Sequence, residues 1–222
     1  MISPDSVEIE IGCGNGHFLA EYAARNPQKH LVGVEIKKKR CLKAEEKARK
    51  RGLANVTIVR GSAEHYLSGL PRQTVDAFHI YFPDPWPKSR HRKRRFMSRE
   101  NLDLLHSLLN PGGMVLFSTD FFDYYLQVKI LFLLHEGFSV VEDPHPAEAF
   151  SSIYCKKFID REKRIYLISA RKSGNELGQE QKHAGHSDHD VGPDRDGGSP
   201  EKDAINASAL PGDRLRVSGN ED

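Results

Sequence analysis

The sequence is poor in cysteine and has no long hydrophobic run. Its three cysteines among 222 residues, Cys13, Cys41 and Cys155, form no C-x-x-C pair. A disulfide framework or a structural zinc site is therefore not expected, and no metal site is predicted. The longest apolar run, Ile130–Leu134, is too short to span a bilayer, and the first residues do not show the pattern of a signal peptide. We expect a cytoplasmic protein that does not bind a membrane.

Negative charge is scarce in the first part of the chain and abundant in the last. Residues 1–172 contain 28 Lys and Arg against 20 Asp and Glu, whereas residues 173–222 contain 5 against 11. The basic part favours a polyanionic partner. The acidic part is rich in Gly, Asp, His, Ser and Pro, so it cannot bury enough apolar surface to offset its ordering entropy. We predict a folded domain at 1–172 and a disordered acidic tail at 173–222.

Segments with strand-like and helix-like patterns alternate at least five times in the first part. Apolar runs such as Val7–Ile11 and Asp76–Tyr81 are followed by stretches with helical spacing. This alternation predicts an α/β, doubly wound, mainly parallel Rossmann-like sheet of about seven strands, with an α+β domain as the alternative. Ser98 is predicted to cap a helix that runs to about Leu109. Asn110–Gly113 is predicted to be a turn before the fifth strand.

A glycine-rich turn follows the first strand. Glu10, Gly12, Gly14 and Gly16 stand at every second position, and glycines at such a turn let a ligand approach the backbone closely. Glu35 ends the second strand, where a carboxylate is able to accept hydrogen bonds from both hydroxyls of a ribose. The spacing differs from the G-x-G-x-x-G of dinucleotide binders, and Glu10 would repel a pyrophosphate but suits a cationic amine. The pattern therefore favours S-adenosyl-L-methionine over NAD and resembles motif I of class I methyltransferases.

The stretch after the fourth strand combines a carboxylate, a rigid backbone and a run of cations. Phe82-Pro83-Asp84-Pro85-Trp86-Pro87 holds three prolines, which limit the freedom of the loop and orient Asp84 and Trp86. Six cationic residues that suit contacts with phosphate follow within eight positions: Lys88, Arg90, Arg92, Lys93, Arg94 and Arg95. Open α/β sheets bind ligands at the edge where this loop is expected. The stretch therefore predicts chemistry beside a polyanion.

The same stretch carries a resemblance to a known family. The text PDPWPKSRHRKRR, preceded by a strand and by EIGCGNG, resembles the bacterial tRNA (guanine-N7-)-methyltransferases, and Ser118-Thr119-Asp120 matches an element of that family. The resemblance covers about residues 7–172. It implies methyl transfer from S-adenosyl-L-methionine to N7 of guanosine 46 in the variable loop of tRNA. The oligomeric state is predicted only as monomer or homodimer.

The resemblance also implies roles for individual residues. The positions that would bind the methyl donor are Glu10, Gly12, Gly14, Gly16, Glu35, Ser62, Ala63 and Asp84. Asp84 would also be the catalytic residue. The positions that would bind the substrate RNA are Lys88, Asp120, Ser152, Ile153, Tyr154 and Cys155. The remaining cations of the basic run, Arg90, Arg92, Lys93, Arg94 and Arg95, would contact phosphate.

Two alternative functions stay open. Ser62 stands where the family usually has an acid or an amide, and Cys155 stands where an acid is typical, so one alternative is a catalytically impaired RNA-binding relative. The other is a methyltransferase with a different substrate, against which the basic run argues. Since N7 of guanine has a lone pair and no proton to lose, methyl transfer to it requires no general base. We therefore expect Asp84 to position the guanine and to stabilise its developing charge.

Overall fold

The computed structural model describes residues 6–142, 145–146, 149 and 164–173. Within these residues, seven strands form one sheet: β1 (Ser6–Ile11), β2 (Lys29–Glu35), β3 (Val56–Arg60), β4 (Val75–Tyr81), β5 (Leu109–Thr119), β6 (Phe138–Val141) and β7 (Tyr166–Lys172). The helices described are α1 (His17–Arg25), α2 (Lys38–Lys50), α3 (Ala63–Ser68), α4 (Arg99–Leu108) and α5 (Phe122–Leu133). A 3₁₀-helix spans Ser89–Arg94.

The sheet has the strand order β3-β2-β1-β4-β5-β7-β6. The first five strands are parallel, and β7 pairs antiparallel with both β5 and β6. Parallel neighbours need a crossover connection, which the helices between the strands supply. The predicted α/β, doubly wound and mainly parallel sheet is therefore confirmed, and the α+β alternative is wrong.

Helices pack on both faces of the sheet. The larger core contains Leu67 of α3, Leu102 of α4 and Tyr124 of α5, together with alternate residues of the central strands. A smaller core on the opposite face contains Phe18 of α1 and Leu31 of β2. With both faces covered, the central strands β1, β2 and β4 bury most of their residues, as is typical of parallel sheets.

Two local predictions concern the start of α4 and the segment that follows this helix. The hydroxyl of Ser98 accepts a hydrogen bond from the backbone N–H of Asn101 at 3.2 Å, so the predicted cap of α4 is confirmed. The predicted turn at Asn110–Gly113 falls within the bounds of β5. The register with β4 is shifted there, and Gly112 has a φ of 77°. These four residues stand opposite Asp76 alone and interrupt the regular pairing of β5 with β4. Gly112 permits this because glycine adopts positive φ without strain.

None of the helices in the described part of the chain combines the length and the apolarity needed to cross a membrane. The predicted substrate loop Ser152–Cys155 lies outside the described residues, and so does the predicted tail beyond Ser173. The domain boundary at residue 172 stays a prediction.

Candidate active site

The carboxyl ends of the five parallel strands meet at one edge of the sheet, where ligands bind in open α/β folds. The glycine turn follows β1, Glu35 ends β2, Ser62 follows β3, Asp84 follows β4 and Asp120 follows β5. Backbone hydrogen bonds join three of these loops to a neighbouring strand: Gly12 N–H to Val34 O (2.8 Å), Gly61 N–H to Glu35 O (3.1 Å) and Phe82 N–H to Ser118 O (2.9 Å). The predicted residues that the structure describes are therefore brought to one edge.

The glycine turn leaves its outer side open. Gly12, Gly14 and Gly16 have φ values of 74°, 56° and 66°, a left-handed conformation that favours glycine. A Cβ on Gly16 would lie 2.8 Å from the Cβ of Ala44, so glycine is required for α1 to approach α2. A Cβ on Gly12 would meet no atom within 4 Å. The backbone of Gly12 therefore faces space that a ligand is able to fill.

Glu10 is a buried carboxylate beside this turn, with an exposed fraction of 5%. Its Oε2 has no hydrogen-bond partner among the described residues. Burial, and then the negative charge of Glu35, raise the pKa of Glu10 to about 8. A cation placed against Oε2 would supply the missing partner and favour the ionised form. The site therefore fits a ligand with a positively charged group.

Glu35 connects the turn to the end of β2. Its Oε2 accepts a hydrogen bond from the backbone N–H of Gly14 at 3.1 Å, and its Oε1 accepts one from Lys37 at 2.8 Å. The guanidinium of Arg40 lies 3.7 Å from Oε2. Each carboxylate oxygen has a further lone pair. Binding of ribose hydroxyls by Glu35 therefore stays compatible with its role in holding the turn.

Ser62 caps a helix. Its hydroxyl accepts a hydrogen bond from the backbone N–H of His65 at 3.2 Å and donates one to the carboxylate of Glu64 at 2.8 Å. Ala63 is the first residue of α3. The hydroxyl at this position is thus engaged within its own loop. The role of Ser62 and Ala63 toward a methyl donor stays a prediction.

The residues Phe82–Lys88, here called the Asp84 loop, have a strained backbone. Phe82 and Trp86 have φ values of 51° and 42°, which non-glycine residues seldom adopt. Such conformations cost about 1–3 kcal/mol each and persist only where the surroundings impose them. The guanidinium of Arg94 lies 4.9 Å from the centre of the Trp86 ring, and the His91 ring meets it edge-on at 5.8 Å. These contacts brace the indole against the basic run.

Asp84 lies between the two strained residues, and its side chain is exposed. Tyr124 of α5 is nearby, since the Asp84 charge contributes to a Tyr124 pKa that burial raises to about 12. The cations at Lys88, Arg90, Arg92, Lys93 and Arg94 are exposed as well. A carboxylate and a cationic surface therefore adjoin at the ligand-binding edge.

Arg95 was predicted to contact phosphate, but the structure does not place it on the surface. Its exposed fraction is 3%, and its guanidinium donates hydrogen bonds to Pro85, Asp123 and Gln127. A guanidinium enclosed in this way cannot reach a phosphate on the surface. The structure therefore assigns Arg95 to the interior beneath the Asp84 loop.

The sequence has relatives whose names describe one activity. A family model described as putative methyltransferase matches residues 4–166. The tRNA (guanine-N(7)-)-methyltransferase of Geobacter metallireducens is 37% identical over 171 residues, which cover 74% of this chain and 81% of that protein. The enzyme of the same name from Thermotoga maritima is 38% identical over 171 residues, covering 76% of this chain and 55% of that protein. The chain thus spans only about half the length of some of its relatives.

Solved structures show the fold in other methyltransferases. Precorrin-6y C5,15-methyltransferase from Geobacter metallireducens superimposes with a TM-score of 0.54 at 18% identity, over 77% of this chain and 83% of that chain. A putative methyltransferase from Streptococcus mutans, solved in complex with SAH, superimposes with a TM-score of 0.51 at 13% identity, over 77% of this chain and 90% of that chain. At these identities the likeness shows the fold alone. The family match and the Geobacter relative go further, and together they show that the chain belongs to the tRNA (guanine-N(7)-)-methyltransferase family.

Proposed function

We propose that this protein acts in the cytoplasm to transfer a methyl group from S-adenosyl-L-methionine to N7 of a guanine in tRNA, with guanosine 46 of the variable loop as its target. One observation carries the proposal. Among the described residues, Oε2 of the buried Glu10 has no hydrogen-bond partner, and Glu10 lies beside an open glycine turn at the edge where Asp84 and the exposed cations also lie. The names of the relatives in the same family agree with it.

The first part of the site suits the methyl donor. When bound, S-adenosyl-L-methionine supplies an electrophilic methyl group on a positively charged sulfur, and it also carries an amino group. Glu10 provides a negative charge for such a cation. Gly12 and Gly14 have positive φ values, which favour glycine, and their lack of a side chain lets the methyl donor approach the backbone. Glu35 stands at the end of β2, where it is able to accept hydrogen bonds from ribose hydroxyls.

Asp84 is proposed to act on the guanine. Its carboxylate accepts hydrogen bonds from the N1–H and N2–H₂ edge of the base and stabilises the positive charge that the purine gains. N7 has no proton to remove, so the carboxylate is a positioning and electrostatic group and not a general base. Alignment of reacting atoms contributes up to about 7–11 kcal/mol in favourable cases. The rigid Asp84 loop suits this task because its backbone is constrained before the substrate binds.

The tRNA is proposed to lie across the exposed cations. Lys88, Arg90, Arg92, Lys93 and Arg94 supply charge for phosphate contacts, and these set orientation more than sequence preference. The target guanine must leave its stack to reach the edge of the sheet, as bases do in other modifying enzymes. Asp120 and the Ser152–Cys155 loop are proposed to contact the RNA as well. The basic surface favours RNA over a small-molecule or protein substrate.

The test is methylation of unmodified tRNA with a labelled methyl donor, followed by mapping of the modified base. We expect one labelled 7-methylguanosine, at position 46. Asp84→Ala should slow transfer by about 10²–10³-fold, the scale seen when one electrostatic group is removed, and should change tRNA affinity by less than about threefold since Asp84 makes no phosphate contact. Asp103→Ala is the matched control, because Asp103 is an exposed carboxylate on α4 that pairs with His135. Transfer by Asp84→Ala at the wild-type rate would contradict the role of Asp84.

A catalytically impaired RNA-binding protein is the second candidate. The engaged hydroxyl of Ser62, at a loop where the family uses an acid or an amide, is the observation that favours it. Titration calorimetry with S-adenosyl-L-methionine separates the two candidates. Binding of the donor supports the methyltransferase, whereas tRNA binding without donor binding supports the second candidate.

A further inference from the structure

Arg95 connects the Asp84 loop to α5. Its Nε donates to the carbonyl oxygen of Pro85 at 2.7 Å. Its Nη2 donates to Oδ2 of Asp123 at 2.8 Å, and its Nη1 donates to Oε1 of Gln127 at 2.6 Å. Every nitrogen of the guanidinium is therefore used, one on the loop and two on the helix.

The surroundings hold this guanidinium in place. Its central carbon lies 4.8 Å from the centre of the Tyr124 ring and 5.7 Å from that of Phe121. Gln127 also donates from Nε2 to the carbonyl oxygen of Met97 at 3.0 Å, and the Tyr124 hydroxyl accepts from the backbone N–H of Met97 at 3.0 Å. Because these two residues of α5 also bind the backbone of Met97, two positions after Arg95, the position of the guanidinium is fixed relative to the helix.

The composition of the Asp84 loop makes such an external bond necessary. Pro83, Pro85 and Pro87 have no backbone N–H, so the loop has few donors with which to stabilise itself. Its conformation is strained at Phe82 and at Trp86. The N–H of Phe82 is bound to β5, and the carbonyl oxygen of Pro85 is bound by Arg95. Asp84 lies between these two attachment points.

We propose that Arg95 is a positioning residue, which holds the Asp84 loop in its strained conformation and thereby orients the Asp84 carboxylate for methyl transfer. The inference rests on the proposed function only in giving Asp84 a part in the reaction. Arg95 was predicted to contact RNA phosphate, whereas in the structure it binds the backbone carbonyl oxygen of Pro85. Arg95 therefore affects the rate of transfer through Asp84, and not the affinity for tRNA.

The decisive variant is Arg95→Lys. Lysine keeps the charge opposite Asp123, but a single ammonium cannot reproduce the fork that reaches Pro85, Asp123 and Gln127 together. Trp86 is the only tryptophan of the chain and lies in the loop, so its fluorescence reports loop opening directly. We expect acrylamide quenching of Trp86 to increase at least twofold and kcat to fall at least tenfold. KM for tRNA and the salt dependence of tRNA binding should change less than threefold.

Asn55→Ala is the matched control for a general loss of stability. Its side-chain amide also donates three hydrogen bonds, to the carbonyl oxygens of Ala23, Asn26 and Lys29, and Asn55 precedes β3 on the far side of β1 and β2. This variant should unfold at a lower temperature with wild-type Trp86 quenching and kcat. If Arg95→Lys does not fold, Asp123→Ala, which removes the acceptor for Nη2, should still increase quenching.

The outcomes are distinguishable. Unchanged quenching and unchanged kcat in Arg95→Lys would overturn the proposal. A loss confined to KM and to the salt dependence would overturn it too, because it would return Arg95 to the phosphate-contacting surface. If the wild-type protein does not methylate tRNA, the proposed function fails, while the quenching of Trp86 still decides whether Arg95 holds the loop.

Discussion

Glu10→Gln should stabilise the ligand-free protein at neutral and alkaline pH. Burial and the charge of Glu35 raise the pKa of Glu10 from 4.5 to about 8. The folded chain therefore binds this proton more tightly than the unfolded chain does. It follows that the free energy of unfolding falls as pH rises from about 4.5 to about 8, because ionisation is easier in the unfolded chain. Glutamine has the same shape and does not titrate, so the variant escapes this loss.

The magnitude follows from the size of the shift. One pKa unit corresponds to about 1.4 kcal/mol. Relative to acidic pH, ionisation of Glu10 therefore lowers the free energy of unfolding of the wild-type protein by about 5 kcal/mol above pH 8 and by about 3 kcal/mol at pH 7. The substitution itself leaves a buried amide that must find partners, at a cost of about 1–3 kcal/mol. The free energy of unfolding of Glu10→Gln should therefore exceed that of the wild type most clearly near pH 8.5, and should not exceed it near pH 5.

The assay is urea unfolding between pH 5 and pH 9, with m-values checked for constancy. Glu21→Gln is the control, since Glu21 on α1 is exposed and pairs with Arg51 at 2.6 Å, which lowers its pKa. That variant should follow the wild-type curve above pH 5. Parallel curves for wild type and Glu10→Gln would refute the reasoning, because they would show that Glu10 has no raised pKa in the folded protein.

The same group gives a signature of donor binding. If the cation of S-adenosyl-L-methionine pairs with Glu10, binding releases the proton that Glu10 holds below pH 8. The affinity of the wild-type protein should then rise up to about tenfold per pH unit between pH 6 and pH 8 and level off above. The affinity of Glu10→Gln should be lower at pH 8.5 and should vary little over this range. If the affinity of the wild-type protein for S-adenosyl-L-methionine does not depend on pH, Glu10 does not pair with the cation of the donor.

Two further predictions concern Ser62 and the basic run. Ser62→Ala should lower the free energy of unfolding by about 1 kcal/mol because it removes the cap of α3, and Ser62→Asp should retain most of it, as urea unfolding will show. Replacing Arg92, Lys93 and Arg94 together by Ala should reduce the slope of log affinity for tRNA against log salt concentration by about 2 to 3, at about 0.7–0.9 per phosphate contact. An unchanged slope in filter binding would place the RNA surface elsewhere.

The architecture of the site could be predicted because its signals are local. The glycine turn, the acid at Glu35 and the proline-rich Asp84 loop each follow an apolar run, and parallel strands bring the ends of such runs to one edge. The alternation of strands and helices therefore predicts both the sheet and which residues meet at its edge. The residue types of Asn110–Gly113 predict a turn, but only the pairing with β4 shows that this segment falls within the bounds of a strand.

The partners of buried charges could not be predicted. Glu8 lies in a strand with both faces covered, and it is bound by His79 Nε2 and by Lys29 Nζ, each at 2.6 Å. These partners come from β4 and β2, and nothing near Glu8 in the sequence identifies them. Arg95 is a similar case, since its neighbours in sequence are exposed cations. Only the apolar pair Phe96-Met97 that follows it marks the point where the chain enters the core.

The two halves of the basic stretch meet at one carboxylate. Arg92, which is exposed, donates to Oδ1 of Asp123 at 2.7 Å, while the buried Arg95 donates to Oδ2 of the same residue at 2.8 Å. A phosphate that draws Arg92 away from Asp123 leaves that carboxylate to Arg95 alone. Because Arg95 in turn bonds Pro85, the charge balance at Asp123 links the surface proposed for RNA to the backbone beside Asp84. The stretch is thus a single unit, in which the exposed cations and the strained loop depend on the same helix.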